Sequence, residues 1–199
     1  MRAPEEDVMS VIHLAGGCFW GLEKAFEGLP GIVSTQCGYA NGDPHFVPDY
    51  MLVCSGRYGY REAVRVEYDP CAISLEEVLS SFFYLIDPAQ EGGQGNDVGE
   101  QYRTGVYWSD EASEKVVRKA FEEQSKRHAE FHTEMGPLTG WTPAEAEHQK
   151  YLDRNPSGYC HIPQLKIEAL RMMLDRGRRR GPSRLPIRAL GLGINTAST

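Results

Sequence analysis

Along the first half of the chain the apolar positions switch between a two-residue and a near-four-residue period, and the switches outline the elements. SVIHLAGG, residues 10–17, reads as a short strand running into a glycine turn. GLEKAFEGLPG then sets Leu22, Ala25, Phe26 and Leu29 at helical spacing, and Pro30 and Gly31 stop that helix. GIVSTQCGYA, residues 31–40, is extended. After a Gly/Pro-rich connection, REAVRVEYDP sets Val64, Val66 and Tyr68 on one face of a strand and Ala63, Arg65 and Glu67 on the other. In ISLEEVLSSFFYLIDP, Ser74 stands three residues before Glu77 as a capping box, and Leu75, Val78, Leu79, Phe82 and Phe83 form the apolar stripe of a helix. QYRTGVYW, residues 101–108, is another strand, and DEASEKVVRKAFEEQSKR a charged amphipathic helix.

The order β-α-β-β-α-β predicts an α+β fold, a two-layer ferredoxin-like plait (split βαβ) with an extra C-terminal helix and loops. One domain is expected over residues 1–165. A C-terminal helix and a basic tail follow over 166–199, the tail expected to be solvated and disordered because RGRRRGPSR, residues 176–184, packs like charges between Gly and Pro.

Composition narrows the function. A hydrophobic content of 41% in 199 residues suffices for one buried core. The net charge of -7 argues against nucleic acid as the main partner, since phosphate binding needs a basic surface. No run of eighteen apolar residues occurs, and MRAPEEDVMS carries acids where a signal peptide would be basic and then apolar. A soluble, cytoplasmic chain without a membrane partner is expected. Cys18, Cys37, Cys54, Cys71 and Cys160 are odd in number and widely spaced, with neither a C-x-x-C pair nor zinc-site spacing. In a reducing compartment such thiols are either small buried hydrophobes or chemically employed.

GGCFWG, residues 16–21, points to employment. It places Cys18 where a strand turns into a helix, and unpaired N–H groups there favour a thiolate of lowered pKa. Cys37, inside an apolar strand, and Cys71, after a turn proline, read as structural, and Cys54 as packing. GNDVGEQYR, residues 95–103, gathers Asn96, Asp97, Gln101 and Tyr102 in a turn leading to a strand. Tyr50 is placed in a long loop, Glu62 opens the strand after it, and Cys160 lies in the Pro/Gly loop of NPSGYCHI, free enough to meet another thiol.

GGCFWG followed by GNDVGEQYR, with AVRVEYDP, PAEAEHQKYL and NPSGYC in addition, resembles the A-type peptide methionine sulfoxide reductases from residue 16 to residue 162. The resemblance implies a plait-like catalytic domain and reduction of the S epimer of methionine sulfoxide, free or in proteins, for repair of oxidative damage, without metal or organic cofactor. It implies Cys18 as nucleophile and Phe19 and Trp20 as a wall for the substrate methyl group. Glu62, Tyr50, Tyr102 and Asp97 become the polar cluster around the sulfoxide oxygen. Cys160 is the expected captor of a sulfenic acid on Cys18, through an intramolecular disulfide. No cysteine follows Cys160, so a single relay emptied by a thioredoxin-like reductant is expected, in a monomer.

The chemistry fits these residue types. A sulfoxide sulfur is a poor electrophile until its oxygen is protonated, so an acid and donors must stand opposite the thiol. Glu62 in an apolar pocket is the candidate acid. The sequence departs from the family at GYRE, where many relatives have His-Ala before the glutamate; strand alternation predicts that Arg61 points outward, away from Glu62. AEAEHQ has Ala146 and Glu147 in place of an acid and an aromatic, and His148 reads as a structural helix residue. Two rivals remain. A thiol peroxidase or disulfide exchanger would not need the Phe19/Trp20 wall, and a non-catalytic methionine-binding module would need neither thiol.

Overall fold

The computed structural model describes residues 9–179; of the basic run expected to be disordered, residues 176–179 instead continue the last helix, and the rest lies outside the described residues. In chain order the elements are β1 (Ser10–Ala15), α1 (Phe19–Phe26), β2 (Ile32–Ala40), α2 (Tyr50–Cys54), β3 (Arg61–Tyr68) and α3 (Leu75–Leu85). Next come β4 (Gly93–Gln94), β5 (Asp97–Val98), a 3-10 turn at Glu100–Tyr102, β6 (Gly105–Trp108) and α4 (Glu111–Ser125). The last are β7 (Glu134–Pro137), β8 (Trp141–Pro143), α5 (Tyr151–Arg154) and α6 (Gln164–Arg179).

The main sheet has the order β7-β6-β1-β3-β2-β8. Its central four strands, β6-β1-β3-β2, pair antiparallel throughout and are those the periodicity predicts. With α1 and α3 as connections they form the expected plait. β7 joins parallel to β6, and β8 joins antiparallel to β2. At four and three residues these edge strands are too short for a two-residue period to register.

Register decides what faces the helices. Ile12 lies opposite Val66, Leu14 opposite Val64 and Val106, Cys37 opposite Val64, and Tyr39 opposite Glu62. On that face Leu22 and Phe26 of α1, Val78, Leu79 and Phe82 of α3, and Ile167, Leu170 and Leu174 of α6 complete one core. Each such side chain contributes roughly 1.5–3 kcal/mol by leaving water. Helix α6 begins at Gln164 and packs into the same core as the sheet. The capping box of α3 is present: Glu77 N–H donates to Ser74 Oγ (3.3 Å), and Ser74 N–H to Glu77 Oε2 (2.9 Å).

The opposite face is built from small residues, Ala15, Ala40 and Ala63 beside Tyr107, with Leu138 and Trp141 laid over them. A Cβ on Gly38 would stand 2.5 Å from the Trp141 ring, so only glycine admits that ring. Tyr50 does not lie in a loop. Asp49 caps α2 by accepting from Leu52 N–H at 2.7 Å, and Tyr50 is the helix's first residue. Among the described residues no helix is long and apolar enough to cross a membrane.

Candidate active site

β1 leads through Gly16 and Gly17 into α1. Gly17 has φ +79°, and a Cβ there would lie 2.7 Å from Gln94 Cβ, so both the turn and its neighbour require glycine. Cys18 is the N-cap residue of α1 and is buried. Phe19 N–H, an unpaired donor of the first helical turn, donates to Glu62 Oε2 at 3.1 Å. The Trp20 N–H favours a thiolate on Cys18. Burial first, and the Glu62 carboxylate second, nevertheless push the thiol well above its ordinary pKa. The expected lowered pKa is therefore corrected: in the resting site, desolvation of a sulfur anion beside a carboxyl outweighs one helix terminus.

Glu62 is 1% exposed. Burial pushes its carboxyl up to about 8; the Phe19 N–H opposes this and Asp97 adds to it. The acid thus keeps its proton at neutral pH. Burial, with the Glu62 charge among the further causes, raises the phenols of Tyr50 and Tyr102, so both stay O–H donors beside the same carboxyl. Tyr50 and Cys54 stand one turn apart on α2, which places that thiol at the edge of the cluster.

Arg61 lies on the sheet face opposite Glu62, as alternation requires, but it does not reach solvent. Its Nε and Nη2 donate to Glu134 at 3.0 and 3.2 Å, Nη1 donates to Gly59 O at 2.8 Å, and Nη2 lies 3.0 Å from Glu100 Oε1. Glu100 opens the turn that carries Tyr102. The guanidinium therefore ties that turn to β3 from behind the acid.

Phe19 packs 5.3 Å from the His148 ring and 6.0 Å from Tyr39, and Trp20 stacks on Tyr151 at 3.8 Å and 15°. His148 is not in a helix. It sits buried in the turn before α5, 5.8 Å from Trp20 and 4.7 Å from Tyr50, and so faces the site. Glu145 fastens this turn to the sheet, accepting from Tyr39 Oη at 2.6 Å and from Tyr50 N–H at 2.8 Å. Buried Glu23 of α1 accepts from Lys150 N–H at 2.8 Å, which holds Tyr151 behind Trp20. Tyr39, Glu145 and Tyr151 escaped the sequence reading. Only the facing of Tyr39 could have been read there, from its alternation with Cys37.

The second thiol approaches from the other side of α1. A Cβ on Gly21 would lie 3.1 Å from Cys160 Sγ and 3.2 Å from the His161 ring, so glycine is what lets this loop rest on the first turn of α1. Asp97, expected around the sulfoxide oxygen, has its carboxylate turned to this loop: Oδ2 accepts from Tyr159 Oη at 3.2 Å and lies 3.7 Å from His161 Nδ1. Gln94 holds the β4–β5 hairpin beneath it, accepting from Asp87 N–H at 2.7 Å and donating to Asp87 O at 2.8 Å.

Two thiols thus lie about the first turn of α1, with a protonated acid beside it, on an α+β plait. Residues 10–176 match the family described as Peptide methionine sulfoxide reductase. The chain belongs to that family. It is 45% identical over 157 residues to a "Peptide methionine sulfoxide reductase MsrA" of Clostridium acetobutylicum, covering 78% of this chain and 96% of the relative. Mxr1 from Saccharomyces cerevisiae in reduced form superposes with a TM-score of 0.73 at 36% identity, over 80% of this chain and 92% of that one. Mxr1 in complex with Trx2 gives 0.51 at 27% identity, over 76% and 88%.

Proposed function

We propose that this protein reduces the S epimer of methionine sulfoxide, free or in proteins, with Cys18 as nucleophile and Glu62 as acid. The observation that carries the reading is the buried Glu62 carboxyl, hydrogen-bonded to the residue after Cys18 and pushed up to about 8. A protonated acid beside a thiol is what a sulfoxide needs and a peroxide does not. Glu62, with Tyr50 and Tyr102, polarises the sulfoxide oxygen while Phe19 and Trp20 hold the methyl group by shape. The substrate sulfur gains two electrons and leaves as methionine. Cys18 sulfur takes the oxygen and becomes a sulfenic acid, whose hydroxyl hydrogen balances the lost thiol hydrogen. Cys160 then bonds to Cys18, and water departs.

A dithiol protein of the thioredoxin kind empties this disulfide; the related Mxr1 is known in complex with Trx2. Because such reductants are maintained in the reducing cytoplasm, we place the chain there. The test is a count of thiols by mass after fully reduced protein meets one equivalent of either methionine sulfoxide epimer. Two thiols lost with the S form only, mapped to Cys18 and Cys160, is the expected result. No loss with either epimer would overturn the reading, and faster turnover of hydrogen peroxide would favour the peroxidase.

A further inference from the structure

His161 is a buried titratable group that the steps above leave unused. Its side chain is 4% exposed, and neither Nδ1 nor Nε2 has a hydrogen-bond partner. The ring lies in a slot left open by Gly17 and Gly21 at the start of α1. Nε2 would stand 3.1 Å from a Cβ on Gly17, the residue before the nucleophile, and Nδ1 3.2 Å from a Cβ on Gly21, the same point that Cys160 Sγ approaches to 3.1 Å. The imidazole thus lies beside the turn that presents the first thiol, and Cys160, whose Sγ donates to Ile162 O at 3.1 Å, approaches the same point on α1 as Nδ1.

The groups around the ring are unequal. Asp97 of β5 lies 3.7 Å from Nδ1, the carbonyl of Gly16 lies on the α1 side, and the Lys166 charge of α6 opposes protonation. Cys18, next to Gly17 in the chain, and Cys160, next to His161, are both raised first by burial. Beside burial, Glu62 and Asp97 at Cys18 and Asp97 at Cys160 work against ionisation. The disulfide step therefore needs a base for Cys160 and an acid for the hydroxyl leaving Cys18. One neutral imidazole supplies both, and the Asp97 carboxylate steadies the cation formed in between.

We propose that His161, paired with Asp97, carries the proton of the recycling step from Cys160 to the oxygen leaving Cys18. Nδ1 takes the Cys160 hydrogen as Cys160 Sγ attacks Cys18 Sγ. The S–S bond forms as the S–O bond breaks, Nε2–H gives its hydrogen to the hydroxyl, and water leaves. Cys160 is oxidised, the sulfenic sulfur is reduced, and no external reagent is consumed. This inference rests on the proposed reductase cycle and adds to it the residue that moves the proton in its second half.

The experiment is single-turnover quench of reduced protein with methionine S-sulfoxide, following methionine release and disulfide formation separately, with dimedone to trap sulfenic acid. The variants are His161→Asn, His161→Gln and Asp97→Asn, each checked for a native circular dichroism spectrum. For His161→Asn the ratio of the second rate to the first should fall about a hundredfold, within the usual span of general acid–base catalysis, and dimedone adduct on Cys18 should accumulate. Asp97→Asn should move the pH profile of the second step without abolishing it. If all His161 variants keep the ratio within about threefold of wild type, or if both rates fall together, the proposal is wrong and the ring only packs. If wild-type protein releases no methionine, the reductase reading itself fails.

Discussion

Glu62→Gln separates the acid's charge from its shape. The amide keeps an oxygen for the Phe19 N–H but cannot ionise, so it removes only the proton equilibrium. In the native state the carboxyl titrates at about 8, against an ordinary value of 4.5. Between these values the native acid holds a proton that the unfolded one has lost. The native state binds more protons there, and stability falls as pH rises, by about 1.4 kcal/mol per pH unit. Integrated from pH 5 to 8.5, the wild type should lose about 4 kcal/mol through this one group. His13, whose buried ring is pushed down to about 4, acts in the opposite sense between pH 4 and 6.5, but it is common to both proteins and cancels in the comparison. Urea unfolding of both proteins under reductant at the two pH values gives the difference directly. Wild type should lose about 4 kcal/mol more than Glu62→Gln over that interval, while the wild-type kcat/KM declines tenfold per unit above pH 8 and the variant is nearly inactive throughout. A stability difference below about 1 kcal/mol would refute the argument, because Glu62 would then not be holding a proton in the native site.

Arg61→Ala removes the buried cation between two carboxylates and leaves them only the longer Arg103 contacts, 3.6 Å to Glu100 and 3.9 Å to Glu134. Breaking a fully buried pair costs about 3–5 kcal/mol, but Glu134 and Glu100 are about a third exposed and Glu134 keeps the Tyr107 hydroxyl, so about 2 kcal/mol is expected. Denaturant unfolding measures this, and a loss under about 0.5 kcal/mol would show the network to be slack. Gly38→Ala drives a methyl to 2.6 Å from Thr142 O as well as into Trp141; backbone cannot yield cheaply, and a loss of about 1–3 kcal/mol is expected by the same method. Unchanged stability would mean that β8 moves freely from the β2 edge.

Much of the architecture is written in local pattern. Alternation in β3, the Ser74/Glu77 box and the glycine turn before Cys18 are each settled by neighbours within a few residues, and the plait follows from their order. The chemistry-bearing residues could be read for the same reason, as short motifs of distinctive composition. Their ionisation could not. Whether Cys18 ionises depends on whether helix donors or desolvation prevails, and desolvation depends on β2, β3 and the 144–151 segment closing over it, contacts far along the chain. Alternation placed Arg61 away from Glu62, but only the arrival of Glu134 and Glu100 turned an outward side chain into a buried clamp. Likewise His148 and His161 are unmarked in their own segments and gain meaning only where α1 meets them. Sequence alone therefore determined the main elements and singled out the candidate reactive groups, because those obey short-range steric and periodic rules. Tertiary structure decided protonation, pairing and which loop each group serves, because electrostatic energies are set by whatever has been brought near and by how completely water has been shut out.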